Sequence, residues 1–431
     1  MSVQTMKQSY IFPVVCFLAC LLSDINAQEW TQFRGSGLNG KAPEQTAPLH
    51  WTPDSNIVWK TLLPGEGWSS PVVLGNQIWL TTAKNEGSEL YAVCVDKING
   101  GIIHNLLLFR PDSVFGKHAV NSYATPTPCI DERRVYVNFG QYGTACVETQ
   151  TATVVWKRED LFCNHVQGPG ASPILYKNML ILHYEGTDTM FIIALDKNTG
   201  KTIWKTDRPA ELYDHLADIG KKAYITPIVI NVNDRDLLIS NGSAACIAYD
   251  VYTGKEVWRI IQGEDSTIAM PVYENGIVYF YTSFVSTPGG ERYCELLAID
   301  PKGEGDITNT NILWRKKTPI LQLLSPLVHN GLLYTIDSNS MLMCLDAKTG
   351  TVLYQEKLRN KYNASPVLAG GNIYFPSTNG KTLVINEGKV LQIVADNNLD
   401  GQIWASPAVI DNKLLVRTSK YLYLVGEKQT E

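Results

Sequence analysis

Strand-length apolar runs separated by turn residues recur along the chain in one fixed order. Each unit opens with a small or hydroxyl residue, a proline and an apolar run. The openings are Ser70-Pro71-Val72-Val73, Thr125-Pro126-Thr127-Pro128, Ser172-Pro173-Ile174-Leu175, Thr226-Pro227-Ile228-Val229, Met270-Pro271-Val272-Tyr273, Ser325-Pro326-Leu327-Val328, Ser365-Pro366-Val367-Leu368 and Ser406-Pro407-Ala408-Val409. They recur about every 48 residues, the period of a four-stranded propeller blade. A turn such as Asn275-Gly276 or Gly370-Gly371 follows, then a second strand such as Ile277 to Phe280. A third strand ends on an acidic residue: Asp96, Glu148, Asp196, Asp250, Asp300 or Asp346.

The next turn and strand have their own signature. Asp196 to Trp204 reads DKNTGKTIW, Asp250 to Trp258 reads DVYTGKEVW, and Asp346 to Tyr354 reads DAKTGTVLY. The Asp can accept hydrogen bonds from the following backbone N–H groups, and the Gly permits the left-handed residue that closes the hairpin. Trp156, Trp204, Trp258 and Trp314 then fall at one place per unit, where they would pack neighbouring blades together. The last unit has only three strands, whereas an orphan strand, Asn56 to Thr61, occurs early and carries Trp59. The expectation is an all-β, eight-bladed β-propeller of four-stranded antiparallel blades, closed by that N-terminal strand. A sandwich or an open solenoid leaves the missing fourth strand without an explanation.

This divides the chain into a leader (1–27), an N-terminal arm (28–55), the propeller (56–425) and a short tail (426–431). The leader reads as a signal peptide: Lys7, an apolar run from Ile11 to Leu22, and a small-residue cleavage position at Ala27. An uncleaved anchor or a buried helix is the competing reading. Lipid anchoring at Cys20 is a further alternative, disfavoured by Phe17 and by the apolar Leu21-Leu22. The expected location is extracytoplasmic, periplasmic or secreted, with no transmembrane span. Of nine cysteines, two lie in the leader; Cys94, Cys146 and Cys344 occupy one repeat position and read as buried hydrophobes. The formal net charge of −5 and the absence of a basic stripe give no sign of nucleic-acid binding.

The strand, Asp-x-x-Thr-Gly-x-x-x-Trp, Ser-Pro unit resembles the pyrroloquinoline-quinone (PQQ)-type propeller repeat, and the resemblance runs from about Ile57 to Val425. Trp30-Thr31-Gln32-Phe33-Arg34-Gly35 is also similar to exported bacterial propellers with this repeat. That family spans quinoprotein alcohol dehydrogenases and the non-enzymatic lipoprotein BamB, which helps assemble outer-membrane proteins. Resemblance to the dehydrogenases implies PQQ with Ca²⁺, a catalytic aspartate and often a disulfide between adjacent cysteines. No adjacent cysteines occur here, and neither calcium ligands nor that aspartate can be matched. The repeat acids are better explained as turn formers.

No zinc-protease, nucleophile-elbow or phosphate-loop pattern is present, and no catalytic residue is assigned. His118, His165, His183 and His215 are read as lying in or near loops. Binding has a clearer pointer. Three residues before each proline stand Trp68, Tyr123, Gly170, Tyr224, Ile268, Leu323, Asn363 and Trp404. All should approach one mouth of the central channel, either packing the blade tops or lining an aromatic funnel. In the second case Gln167, Gln322 and Asn363 would add polar contacts. Long connections at Phe109–Ser122, Thr206–Lys222 and Thr282–Arg292 are candidates for specificity, and Ala210 to Leu216 for a short helix. Arg34 could pair with an acid, but docking of the arm on the propeller explains it better. The expected function is non-enzymatic binding or scaffolding of a protein, peptide or glycan by a monomer that needs no cofactor. The alternative is a PQQ/Ca²⁺-dependent oxidoreductase.

Overall fold

The computed structural model describes residue 1 and residues 29–286, 289–318 and 322–427. The expected leader, with Cys20 and Ala27, lies outside the described residues. The strands form eight antiparallel sheets, numbered here as blades 1–8 in chain order. Their innermost strands are Val72–Leu74, Cys129–Ile130, Ile174–Tyr176, Ile228–Val232, Val272–Glu274, Leu327–His329, Val367–Ala369 and Ala408–Ile410. The outermost strand of blade 8 is Ile57–Leu62, antiparallel to Tyr421–Val425 with Lys60 opposite Tyr423. The ring is therefore closed by the early strand, as the repeat pattern predicts. Closure removes the unpaired edges that a linear stack would expose at its ends.

The core is not one central mass but a series of layers between successive blades. One layer, for example, joins Trp79 and Cys94 of blade 1 to Val135 and Val147 of blade 2. The next joins Tyr136 and Trp156 of blade 2 to Leu180 and Ile193 of blade 3. All seven cysteines among the described residues are buried and free, consistent with small hydrophobes at a repeat position.

The turn signature has a physical cause that joins blades as well as closing hairpins. Asp196 Oδ1 accepts from the Asn198 N–H (3.0 Å), the Thr199 N–H (2.8 Å) and the Thr199 hydroxyl (2.9 Å), and Asp250 and Asp346 repeat the arrangement. The glycine that follows lies under the tryptophan of the preceding blade. At Gly254, with φ of +68°, a Cβ would stand 2.5 Å from the Trp204 ring. Gly100, Gly200 and Gly350 lie in the same way under Trp59, Trp156 and Trp314. The four indole N–H groups donate to carbonyls of that next turn, Trp59 to Lys97 O at 2.9 Å and the others at 3.0 Å. Trp258 differs, because the following turn carries Pro301 rather than Thr-Gly; the strand Gly305–Asp306 pairs beside it instead.

The arm crosses the floor of the propeller and touches every blade. Trp30 bridges Val73 of blade 1, the Ile130 N–H donates to Thr31 O (2.9 Å), and the Leu175 N–H donates to Gln32 Oε1 (3.0 Å). Leu38 and Phe33 pack on blades 4 and 5, and Arg34 Nη2 donates to Pro326 O of blade 6 (2.9 Å). Lys41–Ala42 adds in parallel to blade 7, and Gln45 and Thr46 bond Asn412 of blade 8. Docking of the arm is thus confirmed, and Arg34 bonds carbonyls rather than an acid.

Candidate functional site

The prolines set the geometry of the channel. Each fixes the start of an innermost strand, so the residues just before it gather at one mouth. The hydroxyl before the proline is a fastening between blades. The Ser70 N–H donates to Thr127 Oγ1 (2.9 Å), Thr127 to Ser172 Oγ (2.9 Å) and Ser172 to Thr226 Oγ1 (3.0 Å). Met270 then donates to Ser325 Oγ, Ser325 to Ser365 Oγ and Ser365 to Ser406 Oγ, each at 2.9 Å. Among the described residues the belt is open at two places, where Met270 replaces the hydroxyl and between Ser406 of blade 8 and Ser70 of blade 1.

Above the belt the channel opens into a funnel of about 330 Å³, with Phe33 of the arm also in its wall. Trp68, Gly170, Tyr224, Ile268, Leu323, Asn363 and Trp404 line it, as expected from their position before the prolines. Trp68 and Trp404 stack with ring centroids 5.6 Å apart and planes inclined by 22°. The Trp68 indole N–H is buried and unpartnered. Gly170 is small because a Cβ would meet Tyr224 at 2.9 Å.

Two expected lining residues lie elsewhere. In blade 2 the strand follows Pro128, not Pro126, because Thr127 is the belt residue. The lining position is therefore Thr125, and it does line the funnel. Tyr123, two residues earlier, packs edge-on against Tyr142 and over Gly87, and its hydroxyl donates to Phe115 O (3.0 Å). Gln322 is buried, and its Oε1 accepts the Ser338 N–H (3.1 Å) instead of facing the cavity. Gln167 does line the funnel, beside His118, Val120 and Asn121 from the Phe109–Ser122 connection. The belt hydroxyls were legible as a repeat signal, but their inward placement was not. The Thr206–Lys222 connection contains short 3-10 turns at Ala210–Leu212 and Asp218–Lys221.

His183 is not in a loop. It lies in the strand Met179–Glu185, in a fully buried polar cluster between blades 3 and 4. Its Nε2 is 3.1 Å from Glu185 Oε2, and its Nδ1 is 2.9 Å from Ser240 Oγ. Glu185 also faces Arg208 Nε at 3.4 Å and accepts from the Tyr213 hydroxyl (2.9 Å) and the Ser243 N–H (2.7 Å). Burial raises the Glu185 carboxyl, but Arg208 and His183 outweigh it and hold the pKa at about 2. Gly242 has no side chain because a Cβ there would stand 2.4 Å from Glu185 Oε2. Sealed from solvent, the cluster binds two blades together and does not line the funnel.

His165 is also buried, with Nε2 3.1 Å from Cys163 Sγ and its ring against Tyr184 and Tyr224. Burial, with His183 adding to it, pulls the imidazole down to about 4, and burial pushes the Cys163 thiol well up. The pair is a neutral thiol and imidazole, the opposite of an activated nucleophile. A depressed histidine pKa stabilises the fold above its unfolded value of 6.5, and that stability is lost as pH falls towards 4. The shift corresponds to about 3 kcal/mol. Urea denaturation between pH 7 and pH 4 should show this decline, and His165→Phe should flatten it. An unchanged pH slope in the variant contradicts the assignment.

The calcium of a PQQ-dependent oxidoreductase would need its oxygen ligands among these donors. Among the described residues one carboxylate, Asp265, lines the funnel; it is bonded by Lys222 Nζ and by Ser266 Oγ (3.0 Å). Among the described residues no three His, Cys, Asp or Glu converge to hold a metal. Calcium needs several converging oxygen ligands, so the donor set does not fit it.

The sheets, their closure and the channel define the class: an eight-bladed propeller of the PQQ type. The family model described as outer membrane protein assembly factor BamB matches residues 188–386 and 298–426, more than half of the chain. The chain belongs to that family. Tetrathionate hydrolase of Acidithiobacillus ferrooxidans is 21% identical over 75% of this chain and 65% of its own length. The BamB of Legionella pneumophila is 24% identical over 46% of this chain and 49% of its own length. The match thus spans less than two thirds of either relative. Among solved structures, BamB from Moraxella catarrhalis superposes with a TM-score of 0.59 at 15% identity, covering 87% of this chain and 98% of that one. Quinohemoprotein alcohol dehydrogenase from Comamonas testosteroni gives 0.62 at 11% identity, covering 94% and 81%. These likenesses establish the fold. No helix among the described residues is long and apolar enough to cross a membrane.

Proposed function

We propose that the protein is an extracytoplasmic, non-enzymatic propeller that binds or scaffolds a partner, a protein or peptide before a glycan, through the open mouth of its funnel. The observation that carries this reading is the funnel itself. It has the stacked Trp68 and Trp404, uncharged hydroxyl and amide groups around them, and the arm across its floor. Large rigid aromatics in a concave, partly desolvated site are what binding anchors look like. The family's description as an assembly factor favours a protein partner over a glycan. Exposed apolar residues beside the mouth, Phe115 at 41% and Val120 at 41% exposed, extend the surface available to it.

The test is a double substitution, Trp68→Ala with Trp404→Ala, in the full chain. A partner identified by cross-linking to the intact protein should bind the variant at least about thirtyfold more weakly, since even one anchoring tryptophan contributes about 2 kcal/mol or more. Ile203→Ala on an outer strand should leave binding unchanged. A folded double variant with undiminished affinity removes the funnel from the function.

A further inference from the structure

The funnel is backed by two cations that no carboxylate balances. Arg34 is wholly buried; Nη2 donates to Asn39 O (3.1 Å) and Pro326 O (2.9 Å), while Nε and Nη1 have no partner. Pro326 directly follows the belt residue Ser325, so this guanidinium stands one peptide below the hydroxyls. Arg417 is 2% exposed and bonds Ser69 O, Ser69 Oγ and Thr81 O, against the residue next to Trp68, and its Nε is unpartnered. Among the described residues no carboxylate lies within 4 Å of either arginine. The nearest influence on Arg417 is the more distant Glu66, and the one acid in the lining, Asp265, is taken by Lys222. A buried charge without a counter-charge is costly, and a ligand that supplies the counter-charge recovers that cost.

The belt adds donors of the same sense. Each belt hydroxyl that accepts a backbone N–H uses a lone pair and keeps its own proton to donate. Six such hydroxyls line the cavity, Thr127, Ser172, Thr226, Ser325, Ser365 and Ser406, and the Ser70 hydroxyl lines it beside them. A ring of O–H donors over a positive floor is complementary to an acceptor-rich anion, not to a cation or an apolar tip.

We infer that the funnel takes a ligand bearing an anionic group of the carboxylate, sulfonate or phosphate kind. The anion is seated among the belt hydroxyls above Arg34, with the attached ring or chain against Trp68 and Trp404. This rests on the binding-funnel reading and names the chemistry of its occupant. On a protein partner, the group would be an acidic side chain, a carboxy terminus or a phosphorylated residue.

A matched pair of probes tests it: naphthalene sulfonate and the uncharged naphthalene sulfonamide, followed by quenching of tryptophan fluorescence in the full chain. The sulfonate should bind at least about tenfold tighter than the sulfonamide. Arg34→Gln should erase that preference while sulfonamide binding persists. Ser70→Ala removes a hydroxyl that accepts no neighbour's N–H, so it should fold normally and weaken the sulfonate alone. It serves if Arg34→Gln does not fold. Equal binding of both probes, or a preference that survives both substitutions, overturns the anion site but leaves the aromatic funnel standing. Loss of the partner's dependence on Trp68 and Trp404 is the separate result that removes the funnel itself.

Discussion

Glu185→Ala should destabilise the protein by about 3–5 kcal/mol, although Glu185 does not line the channel. The carboxylate accepts from the Tyr213 hydroxyl and the Ser243 N–H and faces both His183 and Arg208. Removing it leaves the Arg208 guanidinium at 0% exposure with no acid beside it, and strands two further donors. A buried ion pair contributes little net stability when intact but is costly to halve, because the survivor cannot be hydrated. The same carboxyl predicts the sign of the acid response. Its folded pKa of about 2 lies below its unfolded value, so its contribution is complete above about pH 4.5 and is lost as pH falls towards 2. Urea midpoints of the variant and the parent at pH 7 and at pH 3 provide the check. The gap between them should narrow at the lower pH, and a variant within 1 kcal/mol of the parent at pH 7 would falsify the account.

Trp59→Ala should cost a similar amount, about 3–5 kcal/mol, the usual range for truncating a buried aromatic. Trp59 is 9% exposed, packs over Gly100 and donates to Lys97 O. Its effect should differ in location from that of Trp204→Ala, which removes the same contact between blades 3 and 4. Trp59 lies at the seam where the two ends of the chain meet, beside the pairing of Ile57–Leu62 with Tyr421–Val425 that closes the ring. Hydrogen exchange should therefore show Tyr421–Val425 and Lys413–Arg417 losing protection first in Trp59→Ala, but not in Trp204→Ala. Identical exchange patterns in the two variants would mean that the seam has no special weakness.

The repeat was legible because each of its letters answers to a local rule. Pro starts a strand, Asn-Gly closes a hairpin, Asp caps the following N–H groups, and Gly takes the left-handed conformation that the turn needs. Those rules act within a few residues, so the chain alone determined the strands, the number of blades and the orphan strand that closes the ring. The lining of the funnel followed from the same repeat, with one slip. Thr125-Pro126-Thr127-Pro128 offers two prolines, and local pattern could not choose between them. The hydroxyl of Thr127 reaching the Ser70 N–H decided for the second, which moved Tyr123 out of the channel and Thr125 in.

The rest was decided by contacts between residues distant in sequence, for which no local rule exists. His183, Glu185 and Arg208 became a buried network only when blades 3 and 4 came together. Gln322 turned to the Ser338 backbone, and Arg34 met the Pro326 carbonyl across 292 positions of chain. What the sequence determined by itself is the repeated blade and its closure, because strand, turn and capping preferences are written in neighbouring residues. What only the tertiary structure decided is which polar groups are buried, paired or left facing the channel, because burial and charge balance depend on everything packed around a group rather than on its neighbours along the chain.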